Sequence, residues 1–270
     1  RQLLDRLDCE KGFSLYVGIP FCPSICSYCS FSSSPIALWQ DRTEDYLDAL
    51  CREIRAIAGG TKGRRLNTIY IGGGTPTTLT EGQLTRLLHT ISQSFSMEYL
   101  TEYTVEAGRP DSITREKLLS IRKFPVTRIS INPQTMQQKT LDLVGRKHTP
   151  QDVCRIFHLA REIGFDNINM DLIAGLPKEG LSDMEDTLRQ IEMLMPDSLT
   201  VHALAIKRAA KFGQEGWRQS VGSDIENMVE AAARSAENMG MAPYYLYRQK
   251  NIAGNFENVG YAKVDKAGIY

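Results

Sequence analysis

The chain predicts an α/β fold, a parallel (β/α) partial barrel of about six strands. Short β-branched runs alternate with longer amphipathic stretches along most of the sequence, as strands joined by helical crossovers do. No β-hairpin signal breaks that alternation, so the strands are expected to be parallel. Polar residues gather at the strand ends, where a barrel of this kind assembles its chemistry. Right-handed repetition curls such units into a full or partial barrel, with a doubly wound open sheet as the competing topology.

The elements are read in order. A strand from Phe13 to Ile19 is stopped by Pro20 and feeds a loop. Asp41 to Ala58 places Tyr46, Leu47, Leu50, Ile54 and Ile57 on one helical face. Asn67 to Ile71 is a strand of buried type, ending in Gly72-Gly73-Gly74-Thr75-Pro76. Thr80 and Gln83 form a capping box for a helix to about Phe95. Tyr103 to Glu106 is a strand, Ile113 to Ile121 a helix, and Val126 to Ile131 a strand. Thr149 caps a helix with Pro150 at its first position. Ile168 to Ala174 is a strand halted by Gly175-Leu176-Pro177. Ser182 and Glu185 read as a second capping box, for a helix to about Leu194. Leu199 to Ile206 is a strand, Ser223 and Glu226 cap a last helix to Met239, and Tyr244 to Tyr247 is a final strand-like piece.

At 270 residues the chain can bury a substantial core in one α/β domain. Lys and Arg number 32, as do Asp and Glu, so no net charge points to nucleic acid or a membrane surface. No apolar run approaches the length of a membrane span. Cysteines that stay free fit a reducing, cytoplasmic setting. The chain opens on Arg1 rather than Met and is expected to be a piece of a longer one. Its expected parts are a lead-in over 1–12, a barrel core over 13–240 and the start of a C-terminal region over 241–270.

Cys22, Cys26 and Cys29 follow the first strand with the spacing C-x-x-x-C-x-x-C. Thiolates select zinc, copper(I) or iron–sulfur clusters. On a 4Fe–4S cluster, three cysteines leave one iron open for a substrate or cofactor. Zinc knuckles come in C-x-x-C pairs and no second pair follows, and six cysteines are too sparse for a disulfide framework. Prolines and serines around the three mark a loop rather than a core segment, so the cluster reading leads. Cys51 and Cys154 fall in predicted helices as small hydrophobes, and Cys9 precedes the first strand. The polar strand ends carry Gly73, Gly74, Thr75, Glu106, Asn132, Gln134, Asp171 and His202, with Lys207 and Arg208 after the sixth strand.

The cysteine loop, with Tyr28 just before Cys29, resembles the signature of the radical S-adenosylmethionine (SAM) superfamily. Together with I-Y-I-G-G-G-T-P, V-E-A, the Gln134 segment, V-G-R-K-H-T and D-L-I-A-G-L-P, it resembles the oxygen-independent coproporphyrinogen III oxidases (coproporphyrinogen dehydrogenases) over about Leu15 to Tyr261. The resemblance implies a barrel of radical SAM type, a 4Fe–4S cluster on Cys22, Cys26 and Cys29, and SAM on the open iron. It places Tyr16 and Tyr28 beside cluster and cofactor, with Tyr16 and Arg146 taking part in catalysis. It sets Gly73, Gly74 and Thr75 at the methionine end, Arg146 on the SAM carboxylate, and Glu106, Gln134 and Asp171 on the amino group and ribose. The reaction it implies is SAM cleavage to a 5′-deoxyadenosyl radical, hydrogen abstraction from a porphyrinogen propionate and loss of carbon dioxide. Carried out twice, this gives protoporphyrinogen IX. Reduced flavodoxin or ferredoxin is the implied electron donor. A tetrapyrrole tetracarboxylate needs cations at the barrel mouth, for which Arg109, Lys207, Arg208, Arg248 and Lys250 are candidates.

Well-known catalytic members of that family carry histidine where this chain has Gly18 and a further cysteine where it has Phe31. Gly18 and the segment from Tyr244 to Asn255 resemble a second branch of the family, also one of coproporphyrinogen dehydrogenases. A sister branch of haem-binding chaperones carries H-N-x-x-Y-W, a pattern this chain lacks. A radical SAM enzyme acting on another tetrapyrrole is the further alternative.

Overall fold

In the computed structural model, residues 7, 10–31, 33–206, 210–215, 223–247 and 257–270 are described. The chain runs β1 (Gly12–Ile19), β2 (Phe21–Cys22), β3 (Ser34–Pro35), α1 (Thr43–Gly60), β4 (Arg65–Gly73), α2 (Glu81–Ser94), β5 (Glu102–Gly108), α3 (Arg115–Arg122) and β6 (Arg128–Ile131). It continues α4 (Gln138–Val144), α5 (Pro150–Ile163), β7 (Ile168–Ala174), α6 (Leu181–Leu194), β8 (Ser198–Ala203), α7 (Lys211–Gln214), α8 (Ser223–Asn238), β9 (Ala242–Tyr247) and β10 (Asn258–Ala262).

Strands β1, β4, β5, β6, β7 and β8 lie side by side in that order, every neighbouring pair parallel. A doubly wound sheet reverses direction at a switch point, whereas this order runs one way. Successive helices touch along one face: α1 on α2, α2 on α3, α3 on α5, and α6 on α8. The sheet therefore curls into a half-barrel with helices outside and an open concave face.

The side-chain period of two decides what each face does. Outward positions are apolar (Val17, Ile19, Ile69, Ile71, Val105, Ile129, Ile131, Met170, Leu172, Leu199, Val201) and share one core with Leu47, Leu84, Leu88, Ile91, Ile156, Phe157, Leu188 and Ile191 of the helices. Inward positions are polar, and they bond across strands. Thr68 donates to Ser14 at 2.7 Å, Arg128 to Ser198 at 3.1 Å, and Asn169 to Ser130 at 3.1 Å.

Local signals set several helix starts. Thr80 and Gln83 make the reciprocal bonds of a capping box, and Thr149 does so with Asp152 ahead of Pro150. The Ser182–Glu185 box does not form. Helix α6 starts two residues earlier, where the Asp183 carboxylate accepts the Gly180 N–H at 3.0 Å and also meets Lys139 at 2.7 Å. Helix α8 begins at Ser223, whose side chain lies outside the described residues. The all-parallel expectation also needs correction at one edge. β10 runs antiparallel to β8, and β9 antiparallel to β10. This pairing spans too many residues for a tight-turn signal to announce it.

Candidate active site

The cysteine loop sits at the C-terminal ends of the strands, pinned to its neighbours mostly through backbone. Ser27 N–H donates to Val144 O at 3.0 Å, Phe212 N–H to Ser27 O at 3.0 Å, and Ser24 Oγ to Gly145 O at 3.0 Å. The glycine run after β4 packs directly beneath it. Gly74 N–H donates to Ile19 O at 2.7 Å and Thr75 N–H to Phe21 O at 2.8 Å. A Cβ on Gly74 would meet Phe21 O at 2.6 Å and Cys22 Sγ at 3.0 Å, so the close approach requires glycine. Gly73, at φ +103, lies as close to Ile19. Thr75 Oγ1 reaches Cys22 Sγ at 3.5 Å.

Arg109 is 2 % exposed and lies behind the loop, not at the mouth. This corrects its reading as a cation for substrate: the guanidinium is spent on Ser24, Cys26 and Asp111. Arg146 is buried too, donating to Asn132 O at 2.5 Å and lying against Tyr28 and Cys26, and its Nε has no hydrogen-bond partner among the described residues. Burial raises the Tyr28 hydroxyl and, likewise, the Cys29 thiol. His148, fully buried, is a core histidine 3.8 Å from Asp111. Burial alone would raise the Asp111 carboxyl, but His148 and Arg109 beside it hold it well below the usual range.

A cavity of 1190 Å³ opens between this loop and the concave sheet. Tyr16, Tyr28, Cys29, Gly73, Gly74, Glu106, Gln134 and Asp171 all line it. Cys22, Cys26, Thr75 and Arg146 are not among its lining residues; Cys26, Thr75 and Arg146 are buried and Cys22 is partly exposed. Lys207, Arg208, Arg248, Lys250 and Cys9 lie outside the described residues. The two departures, Gly18 and Phe31, both face the cavity. A Cβ at position 18 would meet only the Tyr16 ring, at 3.4 Å, and Phe31 is 72 % exposed. Tyr16 stacks on Tyr70, ring centres 6.0 Å apart.

Two wall residues are in unusual states. Gln134 holds φ at +69, rare for a residue with a side chain, because its N–H and C=O are tied to Asp171 O and Ile173 N, each at 2.9 Å. Its buried Oε1 has no hydrogen-bond partner among the described residues. Glu106 accepts from Asn132 Nδ2 at 3.2 Å. Burial, reinforced by the nearby Asp171 carboxylate, pushes it up to about 8.

Asn169 joins the wall together, giving Nδ2 to Asp171 at 2.7 Å and accepting at Oδ1 from Ser198 and Thr200 at 3.0 and 3.1 Å. Arg128, Asn169, Ser198 and Thr200 were not singled out from the sequence. Polar residues recurring at every second position along the strands are the signal that marks them.

The residues fit a cluster and a sulfonium nucleoside. Cys22, Cys26 and Cys29 are free. Among the described residues no three His, Cys, Asp or Glu side chains form a group that could hold a metal ion, and the fit rests on the donor set, three thiols on one loop being what an iron–sulfur cluster takes. The orphaned Gln134 oxygen is an acceptor awaiting a donor. The glycine cradle sets backbone rather than side chain against the loop that would carry the metal.

A helix-clad half-barrel with a three-cysteine loop at its mouth defines a class. A family model described as the radical SAM superfamily matches residues 16–191, and the chain belongs to that superfamily. Over 262 residues it is 44% identical to the oxygen-independent coproporphyrinogen-III oxidase-like protein HemZ of Bacillus subtilis, covering 95% of this chain and 52% of that protein. The heme chaperone HemW of Bacillus subtilis is 38% identical over 200 residues, covering 74% of this chain and 52% of that one. The oxygen-independent coproporphyrinogen III oxidase of Escherichia coli is 34% identical over 192 residues, 71% and 42% of the two chains. The chain thus spans about half the length of the curated relatives it matches. The solved structure of coproporphyrinogen III oxidase (HemN) from Escherichia coli, a radical SAM enzyme, superposes with a TM-score of 0.81 at 27% identity, covering 98% of this chain and 58% of that one.

Proposed function

We propose that this chain is the catalytic barrel of a radical SAM enzyme that oxidatively decarboxylates coproporphyrinogen III propionates to vinyl groups. The observation that carries the reading is the convergence of the cysteine loop, Glu106, Gln134 and Asp171 on one cavity. When bound, a reduced 4Fe–4S cluster and SAM supply the carbon radical that takes a hydrogen atom from the substrate.

Cys22, Cys26 and Cys29 would hold the cluster. Gln134 Oε1 and the Asp171 carboxylate offer acceptors to ribose hydroxyls. Glu106 can accept from the amino group once it has lost its proton. The buried Arg146, whose Nε has no hydrogen-bond partner among the described residues, is the proposed cation for a cofactor carboxylate. Each propionate that becomes a vinyl loses one hydrogen atom, carbon dioxide and one further electron. Reduced flavodoxin or ferredoxin is the proposed donor for the cluster, and the setting is cytoplasmic. Among the described residues no helix is long and apolar enough to cross a membrane.

The test is anaerobic. Protein is reconstituted with iron and sulfide, reduced, and mixed with SAM and coproporphyrinogen III while deoxyadenosine and tetrapyrrole mass are followed. Deoxyadenosine with stepwise loss of two carboxyl groups is expected. Deoxyadenosine with an unchanged porphyrinogen would move the substrate elsewhere. The similarity to a heme chaperone supports a second reading, for which no SAM cleavage and stoichiometric haem binding are the signature.

A further inference from the structure

Three thiols of the loop have different surroundings. Cys22 has a threonine hydroxyl, and Cys29 faces the cavity. Cys26, 7 % exposed, lies near two guanidinium groups, those of Arg146 and of Arg109, whose Nη1 is 4.0 Å from Sγ. Arg109 is the more fully committed of the two. Its Nε and Nη2 form a two-pronged bond with the Asp111 carboxylate at 3.0 and 2.8 Å. A buried ion pair needs only that edge. The third nitrogen, Nη1, is turned into the cysteine loop, donating to Ser24 O and Ser24 Oγ at 2.9 Å each. Ser24 Oγ in turn donates to Gly145 O, so the clamp runs from β5 through the loop to the end of α4.

We propose that Arg109 is a positioning residue for Cys26. It locks the middle ligand of the loop in place and points the positive end of the Arg109–Asp111 dipole at its sulfur. The inference rests on the cluster reading given above. Positive charge and N–H donors facing a ligating thiolate draw density from sulfur and make a cluster easier to reduce. Asp111 balances the formal charge, which leaves the effect directional and short-ranged. It is felt at Cys26 more than at Cys22 or Cys29. Removing the fork should make the cluster harder to reduce and the loop quicker to release iron.

The experiment compares reconstituted wild-type, Arg109→Gln and Arg109→Lys proteins without SAM. It measures iron and sulfide content, the midpoint potential by EPR-monitored titration, and the rate of iron loss to a chelator. The glutamine variant is expected to titrate at a more negative potential and to lose iron several-fold faster, with lysine, which keeps charge but not the fork, in between. Wild-type values for both quantities in Arg109→Gln overturn the proposal. Should Arg109→Gln fail to fold, judged by circular dichroism of the apo-protein, Ser24→Ala removes one anchor of the clamp. Faster iron loss from Ser24→Ala then supports the proposal, and an unchanged rate overturns it. A wild-type protein that takes up no cluster overturns the reading beneath it and, with it, this inference.

Discussion

Gly74→Ala places one methyl group where the structure has no room. The new carbon would lie 2.6 Å from Phe21 O, 2.9 Å from Ile19 O and 3.0 Å from Cys22 Sγ. Two of these are backbone atoms in or next to the buried end of β1, so no side chain can swing aside. Relief requires the glycine run to lift away from the loop, stretching the Gly74–Ile19 and Thr75–Phe21 hydrogen bonds. Overpacking costs about 1–3 kcal/mol, and each weakened bond adds about 0.5–1.5 kcal/mol. A combined loss of about 3 kcal/mol corresponds to a fall of about 6–12 °C in melting temperature for a chain of this size. Differential scanning calorimetry of the apo-protein measures it, and iron content after reconstitution reports displacement of Cys22. A Gly74→Ala protein that melts within about a degree of wild type, with full iron content, would refute the claim that this contact is close-packed.

Gly59→Ala is the opposite case. Gly59 is exposed in α1 with nothing within 4 Å of its Cβ position, so alanine should add about 0.5–1 kcal/mol, read as a higher urea midpoint. For Glu106, the folded value of about 8 stands above the usual 4.5. Between those values the folded state binds a proton that the unfolded state has lost, so stability falls as pH rises through the window and levels off above it. Urea titrations of wild type and Glu106→Gln at pH 5 to 9 should diverge across that window, the variant gaining. Parallel curves would show that Glu106 is not held protonated.

The parts of the fold that follow from local chemistry were legible in the sequence. Thr80 and Thr149 cap their helices because the partner donor lies three residues away, and the six parallel strands follow from their alternation with helices. Ser182 misled because Asp183 is recruited by Gly180 and by Lys139, the latter from a different helix. β10 was missed because its partners lie on β8 and β9 and its own five residues carry no signal. The cysteine loop and strand ends were readable as motifs. The burial of Arg109 was not, since it depends on a contact with Ser24 85 residues away. Nor was the left-handed backbone of Gln134, imposed by β7. The polar inner wall was present as alternation in S-L-T-V-H and N-M-D-L, where apolar content drew attention to the wrong half of each pair.

The one-sided placement of helices separates two duties that share every strand. Apolar area withdrawn from water, and with it the heat capacity of unfolding, belongs to the outward residues. Inward residues such as Thr200 or His202 contribute little to that account. A change of substrate preference can therefore accumulate at inward positions such as His202 while the outward residues keep the apolar core intact, whereas exchange of Asn169 or Ser198 also breaks a buried hydrogen bond. Such a wall can drift chemically as long as its cross-strand hydrogen bonds are kept, on a shell whose apolar core does not change.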